Sequence, residues 1–348
     1  MMNRRVFVIG YPAEVGGANT ELWHTVKLWR RFGVGVTLVP TWQAPPAWRT
    51  RLETIGCATV ESSPNDLQDV PGLAGGIVVS FCNTKFLAVA DRLRALECRI
   101  VWLGCMNWLF AAERLHYRRH GCFWRHVFQS RYQRDQLMPQ LRRFGLEDRR
   151  TRVIHGPLCL DEFPFEPLPH AAGEAFQIGR ISRGEVDKFA RNSWQLYART
   201  PHPLRVRVLG WSREVESRLG PPPPWATCLA PGAQPVEQFL KSLHVMVQVN
   251  GDAVENWPRV GLEAMAAGVP LVVESKGGWT EMVRHGETGF LCHSDDQIAY
   301  ATARLAYDEP YRLAIARQAR CDLVDRLARP EAIWAEWREL FEELDLRV

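Results

Sequence analysis

Short apolar runs alternate with amphipathic stretches along most of the chain. Arg5 to Ile9 reads as a buried strand, a turn with Gly16 and Gly17 follows, and residues 19 to 32 read as a helix. Leu22, Val26 and Trp29 share one face of that helix, and Gly33 stands where a helix-ending glycine is expected. Gly35 to Pro40 reads as the next strand and completes a β-α-β unit. Further runs at Gly76 to Phe81, Arg99 to Leu103, His126 to Gln129 and Arg152 to His155 predict an open parallel sheet covered on both faces.

Residues 156 to 173 carry Pro157, Pro164, Pro167 and Pro169, a stiff connection that suits a domain boundary. Beyond it the alternation resumes, with strands expected at Phe176 to Gly179, Arg205 to Leu209, Thr227 to Leu229, Val245 to Val249, Pro270 to Glu274 and Gly289 to Cys292. A last helix over 331 to 345 sets Ile333, Trp334, Trp337, Leu340, Phe341 and Leu344 in one stripe that must be buried, on its own domain or elsewhere. The expected α/β organisation is therefore a domain at 1–170, a second at 171–330, and a final helix at 331–348.

Composition narrows the class. A chain of 348 residues, 46% hydrophobic and 24% charged, is long enough for two domains and too apolar for a disordered protein. The longest membrane-span candidate, Ile100 to Ala112, is too short and contains Asn107. Met1 to Arg5 leads straight into Val6 to Ile9 with no room for a signal peptide, so a cytoplasmic protein is expected. Nine cysteines stand singly, with no C-x-x-C pair and no histidine cluster at zinc spacing, so they read as reduced small hydrophobes and no metal is expected.

Charge divides unevenly. Residues 1–170 hold 22 lysines and arginines against 15 acids, a net of +7, whereas residues 171–348 hold 21 against 24, a net of −3. Much of the excess lies in 114–152, where eleven arginines meet only Asp135, Glu147 and Asp148.

The candidate chemistry centres on residues 255–270. Glu255 and Glu263 are eight apart, with Pro258 suited to the first position of a helix ending at Ala267 and capped by Gly268. Glu255 then precedes the helix and Glu263 lies within it, near the carboxyl ends of parallel strands, where open sheets bind ligands. Two acceptor-only side chains there can hold hydroxyls at two points of an extended polyol; alone, the same pair also fits solvated surface carboxylates.

The stretch from Glu255 to Gly289 resembles the donor-binding signature of glycosyltransferase family 4. The resemblance rests on E-x7-E, Leu262-Glu263-Ala264-Met265-Ala266, Gly268, Pro270, then Gly277-Gly278 with Glu281, and Gly286, Thr288 and Gly289. Ile178-Gly179-Arg180 followed by Lys188, Phe128 to Tyr132, Val153 to Pro157 followed by Asp161 and Phe163, and Gly16-Gly17 extend it over most of the chain.

That resemblance implies a GT-B architecture, with two Rossmann-like domains facing across a cleft and the last helix crossing back to the N-terminal domain. It implies a retaining enzyme that moves a sugar from a nucleoside diphosphate sugar, UDP-sugar foremost, to an acceptor hydroxyl. No cofactor is implied beyond that co-substrate. By resemblance, Glu263 grips the ribose and Glu255 the transferred sugar, while Arg180 and Lys188 neutralise the diphosphate. Asn256, Trp257, Arg259, Gly16 and Gly17 complete the donor contacts. The leaving diphosphate gains charge as the glycosidic bond breaks, so fixed cations and helix N-terminal amides stabilise the transition state above the ground state. With no D-x-D at a strand end, transfer without a metal is expected.

Three departures from the family pattern stand out. Asn256-Trp257-Pro258 replaces the usual Gly-Phe-Gly, and Pro258 removes a backbone N–H, for which Arg259 is a candidate substitute. The strand that often leads to an active-site histidine reads Trp102 to Trp108 with none, leaving Asn107 or His116 as stand-ins. The loop Ile181 to Asp187 is longer than usual.

The acceptor is expected on the N-terminal domain, through Asn19, Asn107, Trp108 and His116. Arginines 114, 118, 119, 125, 131, 134, 142 and 143 interleave there with Trp108, Tyr117, Phe123, Trp124, Tyr132 and Phe144. That mixture suits an anionic polymer or membrane surface, and equally a set of solvated helix faces. Three readings follow: a transferase acting on a small molecule, lipid or glycan; a DNA glucosyltransferase acting on a hydroxylated base; and a catalytically silent GT-B binding module, to which the Asn-Trp-Pro replacement lends its support.

Overall fold

The computed structural model describes residues 5–10, 16–41, 44–81, 84–171, 173–200 and 203–344. The chain forms two compact units, one made of Met1–Pro157 with Pro330–Val348 and the other of Leu158–Arg329.

The first unit is built on seven parallel strands, β1 (Arg5–Ile9), β2 (Gly35–Val39), β3 (Ala58–Thr59), β4 (Ile77–Phe81), β5 (Arg99–Gly104), β6 (Arg125–Phe128) and β7 (Thr151–Val153), in the order β3-β2-β1-β4-β5-β6-β7. Successive side chains of a strand point to opposite faces, and β1 shows the result. Val6 and Val8 enter one apolar core, while Phe7 and Ile9 enter another on the far side. Six of these strands follow from the apolar runs. β3 does not, because a two-residue edge strand is too short to carry a pattern.

The last helix, Pro330–Glu343, belongs to this unit. Ile333, Trp334, Trp337, Leu340 and Phe341 are buried with Val6, Val26 and Trp29. Trp29 on the first helix, Gly17–Arg31, meets the Trp337 ring edge-on at 4.9 Å and the Phe341 ring at 5.5 Å, while Phe32 stacks on Trp334 at 5.1 Å. Arg125 pairs with Glu343 at 3.2 Å, and Arg152 holds both Glu343 and Glu339. Residue 345, the end of the expected helix, lies outside the described residues, as does Cys82.

The second unit has six parallel strands, β8 (Phe176–Ile181), β9 (Leu204–Leu209), β10 (Ala226–Leu229), β11 (Val245–Gln248), β12 (Leu271–Glu274) and β13 (Phe290–Cys292), in the order β10-β9-β8-β11-β12-β13. All six match expectation within two residues. The boundary does not: it falls at Pro157 rather than near residue 170. Leu158 and Phe163 are buried in the same core as Trp257, Leu262 and Ala266, and the Glu166 N–H donates to Ala267 at 3.2 Å. The division thus falls at the start of the proline-bearing 156–173 connection, directly after Pro157, and the rest of that connection belongs to the second unit.

Removing the Trp337 ring, only 1% exposed, leaves a cavity against Trp29 and Phe341. Trp337→Ala is expected to destabilise the first unit by about 3–5 kcal/mol. Denaturant unfolding followed by a probe in the first unit measures this, and a loss under about 1 kcal/mol contradicts the packing role.

Candidate functional site

In the second unit, strand order reverses between β8 and β11. The connections leaving these neighbours go to opposite faces, which opens a crevice beyond their carboxyl ends. Arg180 lies near the end of β8, and Asn250 stands two residues past β11. The Arg180 guanidinium is fully buried. It donates to the Val249 carbonyl at 2.7 Å, to Asn250 Oδ1 at 3.1 Å and to the Lys188 carbonyl, and lies 4.5 Å from the Phe189 ring centre. The diphosphate contact expected of Arg180 therefore rests on the resemblance, while its guanidinium here serves the protein's own backbone. Arg180 joins three chain segments.

Lys188 and Glu255 do meet. Lys188 Nζ lies 2.9 Å from Glu255 Oε1, with both side chains mostly buried at 12% and 17% exposure. The same oxygen accepts from Asn250 Nδ2 at 3.0 Å. The Asn250 N–H donates to Glu274 Oε2 at 2.7 Å, and Glu274 Oε1 pairs with Lys276 at 3.0 Å. The long Ile181-to-Asp187 loop is tied down at its middle and at its end. Ser212 Oγ donates to the Gly184 carbonyl at 2.7 Å, and the Ala253 N–H donates to the Asp187 carbonyl at 3.0 Å. Gly251 permits this approach, since a Cβ there would sit 2.7 Å from the Phe189 carbonyl. Asn250, Glu274 and Lys276 escaped the sequence reading. Their one signal is a polar residue directly after an apolar strand run.

The loop bearing Glu255 is shaped by Gly277 and Gly278. The Gly278 N–H donates to the Glu255 carbonyl at 2.8 Å. A Cβ on Gly277 would fall 2.3 Å from that oxygen, and one on Gly278 would fall 1.7 Å from the Asn256 carbonyl. Only glycines let these backbones touch. Trp257, expected at the donor, is 4% exposed and packs in the core with Leu262, Trp279 and Met282. Asn256 is also buried, at 6% exposure. The Asn-Trp-Pro segment therefore turns its side chains inward.

The helix following the loop runs Arg259–Ala267 and ends at Gly268 in the left-handed conformation, φ 86°. Pro258 caps it with ψ 103° and is not its first helical residue. Glu263 is 6% exposed, and burial pushes its carboxyl up to about 7, with the Glu162 and Glu237 charges adding and Arg259 opposing. Arg259, one turn earlier, is itself 6% exposed. Its charge acts on Glu263 from inside the unit, whereas the sequence suggested a cation offered to the donor.

The remaining expected residues belong to the first unit. Gly16 takes φ +114° before the first helix, and its carbonyl accepts from the Asn19 and Thr20 N–H groups at 3.0 and 3.2 Å. Gly17 opens that helix. Trp108, beyond β5, is 48% exposed, and Asn107 beside it is half-buried. His116 is 7% exposed on the Ala111–His120 helix and stacks on Phe123 at 4.8 Å. Burial, then the Arg94 charge, holds its pKa down to about 4.

Metal-ligand side chains do come together there. Asp91, His116 and His120 place their ligand atoms within 4.8 Å of one another. Arg94 Nη2 lies 3.4 Å from His116 Nε2, so the imidazole lone pair already faces a cation.

Much of the basic stretch is neutralised within its own unit. Arg134 and Arg142 share Asp148 at 3.1 and 2.9 Å, Arg149 pairs with Glu147, and Arg125 and Arg152 hold the last helix. Arg150 serves the Cys122 and Trp124 carbonyls. Arg118, Arg119 and Arg143 remain exposed. No helix among the described residues is long and apolar enough to cross a membrane. Burial raises the Cys57, Cys98, Cys122 and Cys292 thiols to about 11, which leaves them un-ionised at neutral pH.

Two Rossmann-like units of seven and six parallel strands define the GT-B fold. The chain superposes on Anabaena HepE in complex with UDP-glucose with a TM-score of 0.75 at 17% identity, covering 97% of this chain and 99% of that one. It superposes on sucrose-phosphate synthase from Thermosynechococcus elongatus with a TM-score of 0.72 at 16% identity, covering 99% and 100%.

Residues 225–322 match the glycosyl transferases group 1 family, so the second unit carries a glycosyltransferase domain, an enzyme domain of the transferase class. N-acetyl-alpha-D-glucosaminyl L-malate synthase of Bacillus anthracis is 33% identical over 89 residues, 25% of this chain and 23% of that protein. A GDP-mannose-dependent alpha-(1-6)-phosphatidylinositol monomannoside mannosyltransferase of Mycobacterium tuberculosis is 36% identical over 90 residues, 25% and 21%. An exopolysaccharide phosphotransferase of Streptomyces coelicolor is 36% identical over 120 residues, 33% and 12%. The alignments thus span less than a quarter of each of these relatives.

The Glu263 carboxyl keeps its proton to about pH 7 when folded, against an ordinary value of 4.5. This group therefore favours the folded state fully below about pH 4.5, and that contribution is lost as the pH rises to about 7. Glu263→Gln abolishes the titration. Relative to wild type, E263Q is expected to gain stability across that window, by on the order of 3 kcal/mol, and to stay level above it. Denaturant unfolding of both proteins between pH 4 and 8 checks this; a pH-independent difference contradicts it.

Proposed function

We propose that the protein is a retaining glycosyltransferase of family 4, moving a sugar from a nucleoside diphosphate sugar to an acceptor hydroxyl without a metal. The observation that carries this reading is the Lys188–Glu255 pair at the switch point of the second unit, with Glu263 eight residues on. Lys188 supplies the cation toward which a leaving diphosphate develops charge, and mostly buried surroundings strengthen that attraction. Glu255 binds hydroxyls of the transferred sugar and Glu263 those of the ribose. Retention means that the acceptor enters on the face the diphosphate leaves, so the paired-carboxylate scheme of hydrolases does not apply. Uridine is favoured as the base because the structural neighbour HepE holds UDP-glucose, and the GDP-mannose-dependent relative makes guanosine the first competitor.

The first unit is the proposed acceptor side. Its internally paired arginines favour a lipid, glycan or small-molecule acceptor over duplex DNA.

The test is release of nucleoside diphosphate from UDP-, GDP- and ADP-sugars. Wild type is expected to release one of them slowly, with no change on adding duplex DNA bearing hydroxymethylated bases. A sharp rise with DNA transfers the reading to the DNA-modifying alternative, and no release from any donor favours the silent module. Lys188→Ala is expected to lower turnover by about tenfold or more, beyond its effect on donor affinity. Glu263→Ala is expected to lower donor kcat/KM by about tenfold to a hundredfold, as leaving a buried ribose hydroxyl without its hydrogen-bond partner requires. An effect under about twofold removes Glu263 from the donor site.

A further inference from the structure

We infer that Asn250 is the positioning residue of this site, holding the Glu255 carboxylate in place while Lys188 is free to turn toward a diphosphate. The inference rests on the proposed function.

Asn250 is 4% exposed, and every polar group of its side chain has a partner. Oδ1 accepts from Arg180 at 3.1 Å, and Nδ2 donates to Glu255 at 3.0 Å. The two partners have opposite requirements, a pure donor and a pure acceptor, so rotating the amide by half a turn sets donor against donor and acceptor against acceptor. The amide is thereby locked in one orientation. Its backbone is locked as well, because the Asn250 N–H is held by Glu274 and Glu274 is held by Lys276.

Lys188 and Asn250 share one oxygen, Glu255 Oε1. A flexible lysine that moves to a phosphate takes its charge away from Glu255. Were Lys188 the sole anchor, the carboxylate would lose its position at the moment the sugar needs it. The neutral amide stays behind and keeps Oε1 fixed. Arg180, itself bound to the Val249 and Lys188 carbonyls, keeps the amide from following. The charged groups around Asn250 are thus Arg180, Lys188, Glu255, Glu274 and Lys276, and Asn250 is the uncharged link among them.

Two substitutions separate positioning from bulk. Asn250→Ala removes the donor to Glu255. Asn250→Asp keeps the acceptor for Arg180 but turns a second carboxylate toward Glu255, and two carboxylates in contact hold a shared proton to higher pH. N250A is expected to lower kcat about tenfold or more with donor KM within about threefold of wild type. N250D is expected to shift the acid limb of the kcat profile upward by about one pH unit or more. Glu274→Gln, which weakens the hold on the Asn250 backbone without touching Glu255, is expected to lower kcat less, again at constant KM, and serves if the Asn250 variants fold poorly. An N250A or E274Q enzyme with wild-type kcat, or one in which KM alone changes, overturns the inference. A crystal structure of N250A without donor supplies a readout independent of turnover: the Glu255 carboxylate is expected to leave its position by more than about 1 Å. An unmoved Glu255 overturns the inference even if the enzyme is active. A displaced Glu255 with no donor turned over by wild type upholds the contact and overturns the proposed function instead.

Discussion

Where β8 and β11 part, the backbone beyond the strand ends has carbonyls that the sheet no longer serves. Buried carbonyls without donors are costly, and side chains of the second unit supply the donors: Gln248 Nε2 serves the Ile181 carbonyl at the end of β8, and the Arg180 guanidinium serves those of Val249 and Lys188. The remaining architecture of the site depends on that interaction. A planar group with several N–H donors can hold the chain after β11 and the loop after β8 together, and a single-pronged lysine cannot. With those two segments joined, Lys188 and Glu255 are brought within ion-pair distance across 67 residues of sequence.

Glycines complete what Arg180 begins. Gly251, Gly277 and Gly278 each stand where a side chain would strike a carbonyl of the facing loop, so the site is a stack of three closely apposed backbones. The electrostatics separate the two carboxylates. Glu255 has two partners on one oxygen, whereas Glu263 lies where desolvation dominates and only Arg259 offsets it.

Short continuous apolar runs and glycine punctuation made the fold readable, since buried parallel strands are apolar throughout and stand between helices. The ordered motifs from Glu255 to Gly289 located the site for the same reason: each glycine in them answers a steric demand. What remained hidden depended on direction and partner. Sequence marks Arg180 as a cation near a strand end but does not reveal that its guanidinium turns inward to carbonyls. Nor does it show that Trp257 and His116 are filled in by core neighbours, or that the arginines of residues 114–152 are met by Asp148, Glu147 and acids from the last helix nearly two hundred residues away. Asn250 was invisible because its importance comes from strand order, which no local pattern encodes.

The Pro330–Glu343 helix gives the first unit a discontinuous origin. Trp29 finds its Trp337 and Phe341 neighbours only once residues 330–343 are made, while residues 158–329 can complete their own sheet beforehand. During synthesis from the N-terminus, the earlier-made unit is therefore the later one to finish. An apolar groove along the first helix stays open throughout translation of the second unit, and ribosome-bound chains ending before residue 330 expose the surface that chaperones recognise.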